Sequence, residues 1–288
     1  MKKIIFSICI LLGLAFFINS CQETQNENSV LNEMPCLSPD IQHDNDVTGE
    51  IVLNDVIITQ LALEHNRYLE LMIANFNYSA TDLISEFEDK VINANIDFNE
   101  LSLEKRYSIL FNFKDNNGEY RFTNQNDLII AINNSNFLDK QKLVNYVNSA
   151  SNIVFTNLDN CYSLNQNLDN IKNFASTDLT NQSLVVLKSY IETLKASAYF
   201  WYPIDKGGSG IGYSHMESIE TYATNNKPQP TNPKLAAALV SDASSMSIGM
   251  VAIAIGGIFS PLGPAVLISC AAQAAVSSGL AAVLHSKF

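Results

Sequence analysis

The sequence predicts an all-α protein, an irregular helical bundle with a C-terminal apolar helical hairpin. Three observations carry this. From about residue 54, apolar residues recur at three- and four-residue spacing in successive segments. An Asn/Pro cluster, "NNKPQPTNP", then interrupts the pattern as a boundary. Beyond it, "SIGMVAIAIGGIFSPLGPAVLISCAAQAAVSSGLAAVL" (Ser247 to Leu284) has no charged residue and breaks at Pro261-Leu262-Gly263-Pro264. Hydrophobic residues make up 47% of the 288, enough for a sizeable core, and only 16% are charged. The expected layout is a leader over 1–20, a polar tether over 21–49, a helical body over 50–225, a linker over 226–234 and the hairpin over 235–288.

The leader reads "MKKIIFSICILLGLAFFINSCQ". Lys2 and Lys3 precede an apolar run from Ile4 to Ile18, and small polar residues follow. That order is a secretory signal peptide rather than a first membrane span. Ile18-Asn19-Ser20-Cys21 resembles the lipobox of bacterial lipoproteins. The resemblance implies cleavage before Cys21 and attachment of diacylglycerol and further acyl chains there. Several chains on one residue anchor stably where one would be marginal. Gln22 rather than Asp follows, which in such lipoproteins implies sorting to the outer membrane. Cleavage removes two positive charges from a formal net charge of −12. So acidic a chain is not expected to bind nucleic acid, nor to be drawn electrostatically to anionic lipid.

The tether is polar and acidic and ends in "DNDVTGEIVLND". Asp44, Asp46, Thr48 and Asp55 take positions 1, 3, 5 and 12 of a calcium loop, with Gly49 at position 6. Thr is unusual at position 5, and no second loop follows. An acidic tether closed by a helix cap at Asn54 is therefore the preferred reading, with Ca²⁺ the only cofactor the sequence suggests. Cys36 and Cys161 are candidates for a disulfide, because an exported compartment is oxidising. Cys270 lies in the apolar tail, where buried thiols are common.

In the body, Ile58, Leu61, His65, Tyr68, Leu69, Met72 and Phe76 share one helix face. Leu83, Phe87 and Val91 mark a second helix. "NELSLEKRYSILFNF" gives a third, followed by a turn at Asn117-Gly118; a small hairpin over 111–122 is the alternative. "NQNDLIIAI", "LDKQKLVNYVNSA" and the stretch from Leu164 to Phe174 add further pieces. The strongest helix carries Leu184, Leu187, Tyr190, Ile191, Leu194 and Ala198 on one face and ends before Pro203.

Chemical motifs are sparse. The Gly-rich run from Lys206 to Gly212 lacks the Lys-Ser/Thr and the preceding strand of a phosphate loop, so it reads as a turn. His43, His65, His215 and His285 show no metal-partner spacing, and no Gly-x-Ser-x-Gly elbow occurs. His65, on an apolar face, reads as a core histidine bonded to a neighbour. The aromatic cluster Tyr199 to Tyr202 reads as core packing rather than a stacking platform. No catalytic residue is assigned.

In the tail, small residues recur every four positions: Ala252, Gly256 and Ser260, then Ala271, Ala275 and Gly279. This spacing lets helices approach closely. The arm from Ala265 to Leu284 would span about 30 Å as a helix, the thickness of a hydrocarbon core. The arm before it falls short unless it extends back past Asp242, a costly residue in lipid.

The chain also resembles uncharacterised Bacteroidota-type lipoproteins. The resemblance rests on the lipobox, on Leu63-Glu64-His65-Asn66, on Ser197 to Trp201 and on the late small-residue hairpin. It implies an envelope location and a helical body, and carries no activity. The resulting expectation is a lipid-anchored outer-membrane protein that binds or interacts. Its hairpin would serve packing, self-association or membrane contact. A membrane-active or pore-forming effector is the first alternative, and an envelope enzyme with an unrecognised site the second.

Overall fold

The computed structural model describes residues 54–93, 101–156, 160–224, 231–256 and 263–285. Among them are ten α-helices: α1 (Asp55–Ile73), α2 (Leu83–Asn93), α3 (Leu103–Phe111), α4 (Gln125–Asn134), α5 (Lys140–Thr156), α6 (Cys161–Ala175), α7 (Asn181–Trp201), α8 (Ile211–Thr224), α9 (Asn232–Gly256) and α10 (Gly263–His285). The protein is all-α. The turn after α3 closes a single antiparallel bridge, Lys114 to Tyr120, with Gly118 at φ 81°. The leader, Cys21, Cys36, Asp44, Asp46, Thr48 and Ser260 lie outside the described residues.

Asparagine sets three of the helix starts. The Asn54 side chain accepts the Ile57 amide at 2.9 Å. Asn160 accepts from Tyr162 and Ser163. Asn124 forms a reciprocal capping box with Asp127. Each satisfies amides that the helix itself leaves without partners. Asp55, in the first turn of α1, pairs with Lys188 of α7.

Cross-helix pairs fix the directions. Asp55 with Lys188 and Asn66 with Ala196 set α1 parallel to α7. Gln182 with Ala254 and Ser197 with Asp242 set α9 antiparallel to α7. Ser241 meets Ser277, and Gly249 lies against Cys270, so α10 runs back along α9. Helix α7 is central. Expected to bury one stripe, it also buries Ser183, Glu192, Thr193 and Ser197, because α1, α5, α6 and α9 all pack on it.

The two apolar helices are part of this core. Both are long and apolar enough to cross a membrane, yet 72% and 89% of their apolar windows are buried inside the protein. Helix α9 starts at Asn232, inside the expected linker, and runs straight through Asp242. The expected hairpin therefore exists as two helices, but the body encloses it rather than standing apart from it. Burying both faces of each helix against protein explains why neither is amphipathic.

The small residues act differently from the expected stripe. Ala271 and Ala275 are buried, whereas Ala252 is only half-buried and Gly256 is the last residue of α9. The close approach between α9 and α10 falls instead at Gly249. Gly279 faces α2: a Cβ there would lie 2.3 Å from Cε2 of Phe87.

Candidate functional site

The chemistry-bearing side chains gather in two buried clusters. The first surrounds Asp242, in the middle of α9. Its Oδ2 accepts from Ser197 Oγ at 2.5 Å and from Trp201 Nε1 at 3.1 Å, both on α7. The indole N–H also reaches Ser278 Oγ of α10 at 3.1 Å. Oδ1 lies 3.0 Å from His65 Nε2 of α1, with both side chains fully buried. This last approach is an ion contact off the N–H axis, so neither atom makes an aligned hydrogen bond there.

His65 Nδ1 lies 3.0 Å from Asn66 Oδ1, while the Asn66 amide nitrogen donates to the Ala196 carbonyl at 2.8 Å. That second bond fixes the amide, so both imidazole nitrogens face acceptor oxygens. His65 and Asp242 are thus a buried pair in contact at 3.0 Å, with the imidazole held between the carboxylate and the Asn66 amide oxygen. Three helices, α1, α7 and α9, meet at this carboxylate, and α10 joins them through the Trp201 indole. His65-Asn66 of α1 and Ser197 to Trp201 of α7 converge on the carboxylate. Asp242, Ser277 and Ser278 have no local signature as partners. The only hint in the sequence is that Asp242 is an acid in an otherwise uncharged stretch.

The order of groups is wrong for nucleophilic catalysis. Ser197 bonds the carboxylate rather than the imidazole, and no base is shown on its hydroxyl. No member of the cluster reaches solvent, so it holds helices together.

The second cluster lies beyond the C-terminal end of α1. His215 of α8 is 2% exposed, and its Nδ1 meets Tyr78 Oη at 2.9 Å. Phe76 stands edge-on to the ring, and Tyr222 stacks on Tyr78. Nε2 is buried without a hydrogen-bond partner in the structure. Burial pushes the imidazole down to about 3, so it is neutral at physiological pH. Burial also raises the Tyr78 phenol, against a bond from Ser218 that lowers it.

The remaining candidates are accounted for locally. In the Gly-rich turn, Gly207, Gly208, Ser209 and Gly210 spend their amides on nearby carbonyls, so the turn presents no cradle of free amides to a phosphate. Gly207 and Gly210 have φ of 85° and 75°, and a Cβ on Gly212 would strike the Phe200 and Trp201 rings at 2.6 Å. Phe200, Trp201 and Tyr202 are buried as core, while Tyr199 is exposed. Cys161 is a buried thiol at the start of α6, raised by burial against a bond from Asn165 that lowers it. No group of three or more metal-ligating side chains occurs among the described residues.

Comparison with family models, with curated proteins and with solved structures finds no match for this chain.

Proposed function

We propose that the chain is a lipid-anchored outer-membrane protein whose helical domain works by binding a partner at its surface. One observation supports the non-catalytic part of this reading. Where histidine, acid, serine and tryptophan meet, they are sealed between four helices and tie α9 to the body. A domain that uses its apolar helices as core needs attachment from elsewhere, and Cys21 behind its signal peptide supplies it. The test is fractionation of cells producing the native chain or Cys21→Ala, with the N-terminal peptide weighed by mass spectrometry. The reading expects an acylated Cys21 and release of the variant from the membrane. An unmodified Cys21, or a variant that stays in the membrane, overturns it.

A second reading, a membrane-active effector, is favoured by a different observation. Helices α9 and α10 have 25 and 23 residues, about 37 and 34 Å at 1.5 Å per residue, and lie antiparallel. They are already a hairpin of spanning length, enclosed by more polar helices. Dye release from vesicles on addition of the protein tests this, and its absence under every condition removes it.

A further inference from the structure

Asp242 is peculiar in two respects at once. It is the only Asp, Glu, Lys or Arg between Leu235 and His285; Lys234 sits at the very start of α9, so Asp242 is the one fixed charge in the interior of the two helices opposing their entry into hydrocarbon. It is also the group through which α9 is tied to α1 and α7, and the Trp201 indole that it holds reaches on to Ser278 of α10. Its carboxylate faces three buried polar groups: His65 Nε2, and Ser197 and Trp201 as donors.

We propose that the His65–Asp242 pair is a charge latch, and that neutralising Asp242 frees α9 and α10 from the bundle to enter a lipid bilayer. The proposal rests on the membrane-active reading above and names its regulation. A neutral Asp242 does two things together. It weakens the acceptor that His65, Ser197 and Trp201 face in the core, which loosens the ties of α9 to α1 and α7. It also removes the ionised side chain that makes the hairpin unfit for lipid.

The surrounding charges do not substitute for the pair. On α7, Glu192 and Lys195 are engaged with Lys172 and Asp169 of α6, and Tyr190 bonds Ser151 of α5. On α4, Asp127 pairs with Arg121, and on α5, Lys142 pairs with Asp178. On α8, Glu220 pairs with Lys234 in the first turn of α9. On α10, the thiol of Cys270 faces Gly249. His215 is the second buried imidazole and takes up protons in acid by itself, so the test must separate it.

The experiment uses the chain from Gln22 onward with dye-loaded phosphatidylethanolamine/phosphatidylglycerol vesicles at about pH 7. Asp242→Asn is expected to release dye while wild type retains it. Asp139→Ala, which weakens the fold away from Asp242, is expected to retain it. Near-UV circular dichroism of Trp201 reports whether each variant is folded. A parallel arm keeps Asp242 native in a His215→Gln background and lowers the pH stepwise from about 7 to about 3, through and below the ordinary range of carboxylates. Leakage should appear there, and adding Asp242→Asn should make it independent of pH. Should Asp242→Asn prove unable to fold, the acid arm decides alone. Leakage by wild type as fast as by Asp242→Asn, or by Asp139→Ala equally, sinks the latch and leaves the membrane-active reading standing. No leakage in any arm sinks both.

Discussion

A Cβ atom placed on Gly249 would lie 2.4 Å from the sulfur of Cys270 and 3.1 Å from its Cβ. The two apolar helices touch there at closer range than any side chain allows, and the contact is with a side chain rather than between two small residues. Gly249→Ala gains helix propensity, worth about 1 kcal/mol, but overpacks the contact at about 1–3 kcal/mol. The loss should win. Urea denaturation should show a lower midpoint for Gly249→Ala, and Cys270→Ala in the same chain should restore most of it. An additive double mutant would show that the contact is not the cause.

His65→Leu keeps the apolar face of α1 filled and leaves Asp242 charged in the core. Stranding one member of a buried pair costs about 3–5 kcal/mol. Asp242 retains Ser197 and Trp201 as donors, so the loss should fall at the lower end of that range. Trp201→Phe removes one donor and should cost about 1–3 kcal/mol. Chemical denaturation followed by far-UV circular dichroism ranks the two, and a reversed order would mean the donors matter more than the countercharge.

The local architecture was legible and the tertiary pairing was not. Every residue of the expected α1 face is buried, and Asn54 caps that helix, because both follow from spacing and from one side chain reaching its own backbone. The turn nature of the Gly run and the burial of Trp201 were readable for the same reason. The widening of the α7 stripe was not. Glu192 is buried because Lys172 and Lys195 reach it, the first from another helix, and no periodicity records that. Nor could the apolar tail reveal its surroundings, since an all-round apolar helix suits a protein core and a bilayer equally. His65 was readable as a bonded core histidine. Its partner, 177 residues further on, was not.

Asp139, between α4 and α5, caps a helix that cannot cap itself. The Thr180 side chain makes no capping bond to α7. Asp139 instead accepts the Thr180 amide at 2.5 Å, the Thr180 hydroxyl at 3.1 Å and the Ser183 hydroxyl. Burial pushes its carboxyl up, but the Ser183 and Thr180 bonds outweigh that and hold it below the usual carboxylate value. A depressed folded value stabilises above the unfolded value, about 3.9, and the benefit goes as pH falls through the folded one. Asp139→Ala should therefore cost about 1 kcal/mol at neutral pH. The gap to wild type should narrow below about pH 4 in urea titrations. A gap that persists into strong acid would mean that shape, not charge, makes the cap.

His215 should dominate the acid sensitivity at milder pH, with the opposite chemistry. Burial lowers its folded value from 6.5 to about 3. The unfolded chain thus takes up a proton at this residue well before the folded one does. Stability from the neutral ring is complete above the unfolded value and drains away as pH falls toward the folded one. Across that window one proton separates the two states, a slope of about 1.4 kcal/mol per pH unit. Unfolding free energies measured from about pH 6 down to about pH 4 should show a slope of that order. His215→Gln should flatten it, although losing the Tyr78 contact lowers its stability at neutral pH. An unchanged slope in the variant would place the proton uptake elsewhere and show that His215 is not its source.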